Sequence, residues 1–200
     1  HGFLTLSLLT LFFQNAMNGE DQLRQRVAFA LGQIIVVSGT EVAMAYAGGD
    51  WQQMLTVNAF GNYRDLIEEV TLNPVMGRYL DMVNNDKPTA NGSIQPNENY
   101  SRELLQLFTL GTYKLNMDGT RMLVNGAPVP TYGQDEIEGF AHVFTGWTYP
   151  TLPGGTLIRH NPTNYRGPME AFPGNHDTAP KILLNGTVLP ARDNATADLD

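Results

Sequence analysis

Cysteine is absent from this 200-residue chain, which excludes disulfides, zinc–thiolate sites, iron–sulfur clusters and cysteine nucleophiles. Basic residues are scarce. Twelve Lys and Arg stand against 20 Asp and Glu, a formal net charge of −8 at pH 7. A chain of that sign with no basic stripe repels phosphate backbones, so no nucleic-acid partner is expected. Charged residues of both signs make up only 16% and apolar residues 42%, a balance that suits a packed core and argues against wholesale disorder. The apolar stretch Gly2–Phe13 falls short of the roughly 20 residues that cross a bilayer. It also has neither a basic n-region nor a small-residue cleavage site, so it reads as a buried helix and no transmembrane span is expected. No G-x-S-x-G elbow, phosphate-binding loop, GxGxxG fingerprint, H-E-x-x-H pair or full EF-hand loop is present.

Helical periodicity is abundant. Leu23, Val27, Ala30, Leu31 and Ile34 fall on one stripe, with Asn18 as candidate cap and Ser38-Gly39 as a stop. Asp50–Ala59 reads as a shorter helix. Tyr63, Leu66, Ile67 and Val70 repeat the stripe behind Asn62, and Asn73-Pro74 closes that helix and opens another with Met76, Tyr79, Leu80 and Val83 inward. Residues 84–97 are polar and loop-forming. Glu98–Leu110 is expected to be helical with Tyr100, Leu104, Leu107 and Phe108 on one face and Gly111 as its C-cap. Asp118-Gly119 and Asn125-Gly126 are turn dipeptides around Met122-Leu123-Val124, which predicts one or two small hairpins. Thr131 and Gln134 have capping-box spacing before a helix that carries Ile137, Phe140, Ala141 and Phe144. Beyond Trp147 the chain is rich in Pro and Gly, with a short strand expected at Lys181–Leu184. Helices in succession without strand–helix alternation predict a mainly α fold. The expected architecture is an irregular helical domain with a small β-hairpin insertion and long Pro/Gly-rich loops, residues 1–200 forming one domain.

Ionisable residues gather in two loop-flanked segments. In Asn97–Leu104, Glu98 and Arg102 have the favourable i, i+4 order of an exposed pair. Glu103 falls beside Tyr100 and Leu107 at the edge of the apolar stripe, where a partly desolvated carboxylate serves as a general acid/base, a metal ligand or an anchor for the preceding loop. His142 sits among apolar neighbours and reads as a packed or surface residue. His160 and His176-Asp177 lie in the irregular stretch, where two histidines and two carboxylates would suffice for a divalent metal. No fixed local spacing supports one.

Several of these segments are similar to the bacterial domain-of-unknown-function 1800 family. They are Leu23-Arg24-Gln25-Arg26-Val27-Ala28-Phe29-Ala30-Leu31, Asn58–Leu66, Asn97–Gly111, Thr145-Gly146-Trp147-Thr148, and His176-Asp177 with Lys181. The resemblance runs from about Asp21 onward. It implies a mainly helical and often exported protein, periplasmic or at the cell surface, and commonly longer than this chain, which then reads as a fragment cut at both ends. It brings no established activity. Its motif residues are Glu98, Asn99, Arg102, Glu103, Trp147, His176, Asp177 and Lys181, while His142-Val143 stands where family members often have Arg-Ala.

Two functional readings follow. In the first the chain is a hydrolase, metal-assisted or using general acid/base chemistry, with Glu103, Arg102, His176 and Asp177 catalytic. Glu98, Asn99, Trp147 and Lys181 would then face the substrate. Any divalent metal would be held by His160, His176, Asp177 and Glu103. That reading requires Glu98, Arg102, Glu103, His176 and Asp177 to lie within about one side-chain length of one another beside a pocket. In the second, the chain is a non-catalytic cell-surface or assembly module in which the same residues are structural. A protein partner or second copy would then cover apolar faces left by truncation.

Overall fold

The computed structural model describes residues 10, 12–42 and 44–199. Most of the expected buried helix over Gly2–Phe13 lies outside them. The fold is mainly helical, and among the described residues β-structure is limited to pairs of two-residue strands and isolated bridges. The chain divides into two compact units. One takes residues 1–80, 149–157 and 161–170; the other takes 81–148, 158–160 and 171–200.

The first unit is built from helices Gln22–Ile34, Ala45–Val57, Tyr63–Leu72 and Pro74–Tyr79. Asn62 and Asn73 cap the last two as their type and position require, each side chain accepting a hydrogen bond from the backbone N–H two residues on. Ala47, Trp51, Leu55, Leu66, Val70, Val75 and Met76 are buried. The Gln22–Ile34 helix departs from the expected stripe. Asp21, not Asn18, stands at its N-cap, and it buries Ala28 while Leu23 and Ile34 remain exposed. Its inward side is set by Arg24, which donates to the Thr56 carbonyl at 3.0 Å and lies over the Phe60 ring.

The second unit holds the candidate site. Its first helix, Asn99–Glu103, continues as a π-helix over Leu104–Thr109. There the Leu110 N–H and the Thr109 hydroxyl reach back five residues, to the carbonyls of Leu105 and Leu104. The wider turn rotates the stripe, so that Leu105 is buried and Leu107, expected inside, is exposed. Gly111 ends the element with φ +76°. Residues 112–130 form the expected hairpins. Leu123–Val124 pairs antiparallel with Ala127–Pro128 around Asn125-Gly126, both at positive φ as a type I′ turn demands.

Helix Gln134–Val143 starts two residues later than the Thr131 spacing suggests. Gly133 is the N-cap, and the Glu136 carboxylate accepts its N–H at 2.8 Å. Ile137, Ala141, Val143 and Phe144 are buried, and Tyr100 meets Phe144 edge-on. The same helix rides on strand Lys181–Ile182, which pairs antiparallel with Val188–Leu189. Gly139 makes that approach possible, because a Cβ there would stand 1.8 Å from the Ile182 carbonyl oxygen. Gly139→Ala is therefore expected to destabilise the chain by about 1–3 kcal/mol through forced backbone separation, read as a lower urea midpoint. An unchanged midpoint would show that helix and strand part freely.

Candidate functional site

The Glu98–Arg102 ion pair forms as its spacing requires. The first residue of the Gln134–Val143 helix joins it: Arg102 donates to the Gln134 side-chain carbonyl at 2.9 Å, and the Gln134 amide donates to Glu98 at 3.0 Å. This network is at the surface, where such pairs contribute at most about 1 kcal/mol. Asn99 donates to Asp81 at 2.9 Å, also at the surface. Glu103 is half-buried, and among the described residues its side chain makes no hydrogen bond or ion pair. Its carboxylate acts on Tyr132, whose phenol is raised by burial and then by Glu103, with Arg102 opposing.

A second cluster is organised by Thr145 and Gly146, just past the same helix. The Thr145 hydroxyl donates to the His142 carbonyl at 2.7 Å and accepts the Asp177 N–H at 2.8 Å. The Thr145 carbonyl accepts from His176 Nδ1 at 2.9 Å. Gly146 has φ +87°, and a Cβ there would stand 2.8 Å from His176 N. The Thr-Gly sequence is thus the bed on which His176-Asp177 lies. Trp147 is 3% exposed and its indole N–H has no hydrogen-bond partner among the described residues.

His176 and Asp177 point to different partners. His176 is fully buried, with Nε2 3.2 Å from Asp198 Oδ2. The same oxygen accepts from Lys181 Nζ at 2.7 Å. Lys181, 2% exposed, spends its other two N–H groups on the carbonyls of Asp177 at 2.7 Å and Ala179 at 3.1 Å. Asp177 instead holds Nδ1 of His142, which is partly exposed, and accepts the Ala179 N–H at 3.0 Å. Burial pushes the Asp177 carboxyl up. The Ala179 N–H, the His142 ring and the Lys181 charge outweigh burial and hold it below the ordinary carboxylate range. Asp86 is a third centre: burial is outweighed there by His160 at 2.8 Å, Arg159 and Asn175, and its carboxyl is also lowered.

The expected site residues therefore separate. Gln134 and His142 stand eight residues apart on one helix, about 12 Å at ~1.5 Å rise per residue. Glu98 and Arg102 gather at one end, His176 and Asp177 at the other. Lys181 and Trp147, expected to face a substrate, are sealed from solvent. The four candidate metal ligands do not converge either: His160 lies on Asp86, His176 on Asp198, Asp177 on His142, and Glu103 on none of them. Among the described residues no three His, Asp or Glu side chains stand together as a metal ion would need. A cleft of about 480 Å³ opens elsewhere, in the first unit, between Asp50, Glu68, Glu69, Asn73 and Tyr165. Burial, and then Tyr149 beside it, push the Tyr165 phenol up to about 12.

Residue pattern marks neither Asp198 nor Asp86, and it gives His142 only as a packed or surface residue. His142 gave the stronger signal, since it stands one turn before Thr145-Gly146. Asp198 and Asp86 are isolated acids with no local pattern.

The lowered carboxyls fix the sign of an acid response. A folded-state value below the unfolded one, about 3.9 for Asp, contributes stability that is complete above that value. It is lost as pH falls through the folded value. The Asp86→Asn, Asp177→Asn double variant should therefore show a flatter fall in urea midpoint than wild type from about pH 5 downward. Equal slopes would show that neither carboxyl is held low.

A family model described as "Protein of unknown function (DUF1800)" matches residues 4–200. No curated protein matches the chain. No solved structure matches it.

Proposed function

The chain belongs to that family of unknown function, and within it we propose that this chain is a non-catalytic assembly module in which His176 and Lys181 of the motif build a polar core with Asp198. The observation that carries this reading is the sealing of one part of the motif, His176 and Lys181, together with Asp198. His176, Lys181 and Asp198 are 0%, 2% and 6% exposed, and the hydrogen bonds of the histidine and lysine end on groups of the protein itself. Groups that touch substrate need an opening, and these have none.

The exposed apolar residues of 112–130 supply the contact surface of such a module. Leu115, Met117, Leu123 and Val124 all lie open, Met117 at 105%, and grouped apolar exposure of this kind marks interaction surfaces. We assign the contact to a second copy of the chain. Export to the periplasm or cell surface is proposed from the family resemblance alone. No helix among the described residues is long and apolar enough to cross a membrane.

One observation favours the hydrolase reading: His142 and Asp177 pair in the manner of a base and its orienting carboxylate. That chemistry would run through His142 and would leave Glu103 and Arg102 outside the reacting group.

Two measurements test the proposal. Sedimentation should show mass above that of the 22.1 kDa chain at high concentration, returning to monomer in a Met117→Asp, Leu123→Asp variant. A wild type that stays monomeric overturns the self-assembly. Ester, amide, glycoside and phosphate substrates, offered with and without divalent metal, should be turned over no faster by wild type than by His142→Ala. Turnover abolished by that substitution overturns the non-catalytic reading.

A further inference from the structure

Asp198 is the most unusual polar group in the molecule. Its carboxylate is fully buried and its two oxygens are treated differently. Oδ2 receives Lys181 Nζ at 2.7 Å and faces His176 Nε2 at 3.2 Å. Oδ1 has no hydrogen-bond partner among the described residues, and the Arg192 guanidinium stands on its side, with Nε 4.0 Å away. A buried carboxylate oxygen left without a donor is costly. An amide carbonyl in the same place carries less charge and costs less.

The Lys181 amine is also oriented. Two of its N–H groups are held by the carbonyls of Asp177 and Ala179, and the third points at Asp198. Moving that third proton onto Oδ2 leaves the nitrogen lone pair directed at the carboxyl group, with the other two N–H bonds unchanged. Amine and carboxyl then face each other in a site from which water is excluded, the condition in which a condensation that releases water runs forward.

We propose that Lys181 and Asp198 form an intramolecular isopeptide bond. Nζ attacks Cγ of the protonated Asp198 carboxyl group, and negative charge develops on Oδ1, on the side where Arg192 stands. His176 Nε2, beside Oδ2, carries the second proton from nitrogen to the departing hydroxyl. The Nζ–Cγ bond forms, the Cγ–Oδ2 bond breaks, and Oδ2 leaves as water. Oδ1 remains as the amide carbonyl. No oxidant, metal or co-reactant is consumed. The bond ties strand Lys181–Ile182 to the segment that follows Arg192, and it stands whether or not the chain self-assembles.

Intact mass measurement of the whole chain, denatured after folding, tests this without any variant. The expected mass is lower than that of the sequence by one water. Trypsin should then fail to cut after Lys181, and peptide 167–192 should appear joined to the peptide beginning at Asp193, with fragment ions placing the link between Lys181 and Asp198. Lys181→Arg and Asp198→Ala should each restore the full mass, and His176→Ala should slow formation at least tenfold in refolded protein. A wild type that keeps its full mass after prolonged incubation in the folded state overturns the proposal. So does a lost water confined to one linear peptide, which marks cyclisation of an aspartate on its own backbone.

Discussion

With Asp198 shut away from water, its charge has to be met from inside the protein, and much of the second unit is arranged around that demand. Lys181 reaches it from strand Lys181–Ile182, and His176 from the stretch laid on Thr145-Gly146. Removing either partner would strand a charge where solvent cannot follow. The pairing of Lys181–Ile182 with Val188–Leu189 and the close pass of that strand beneath Gly139 hold these groups in register.

The Thr-Gly step is the mechanical complement of that charge cluster. Thr145 uses its hydroxyl as donor and acceptor at once, and its carbonyl fixes which His176 nitrogen carries a proton. Gly146 has no side chain because the His176 backbone occupies the space where one would go. Two adjacent residues of the motif thus aim in opposite senses. His176 is turned into the sealed cluster, while Asp177 is turned toward the partly exposed His142. Chemistry on a molecule from solution at this end of the helix would belong to the outward pair, because the inward one is closed to any such molecule.

Most helices could be read from residue pattern, because their local chemistry and their burial agree. Asn62 and Asn73 cap as their type and position require, Leu66 and Val70 are buried as a 3.6-residue period demands, and both turn dipeptides turn the chain. Leu107 went outward because π-helical bonding changes the angular step between residues. Leu23 and Ile34 stayed exposed although their stripe is regular, because periodicity states that a face is apolar and not that anything covers it. The candidate site fared unevenly. Glu98–Arg102 is a matter of spacing along one helix and was visible, whereas its third member, Gln134, comes from 32 residues further along the chain.

Sequence alone determined the family, the mainly helical class, the caps and turns, and the absence of every cysteine-based site, since each of these follows from residue identity or from spacing within a few turns. The partners of the ionisable groups were decided only in three dimensions. His176 meets Asp198 from 22 residues away and His142 meets Asp177 from 35. A carboxylate carries no local mark of whether it will be buried. That depends on which strand is laid across it, and here the decision rests on a glycine, Gly139, that lets a backbone pass where a methyl group would not fit.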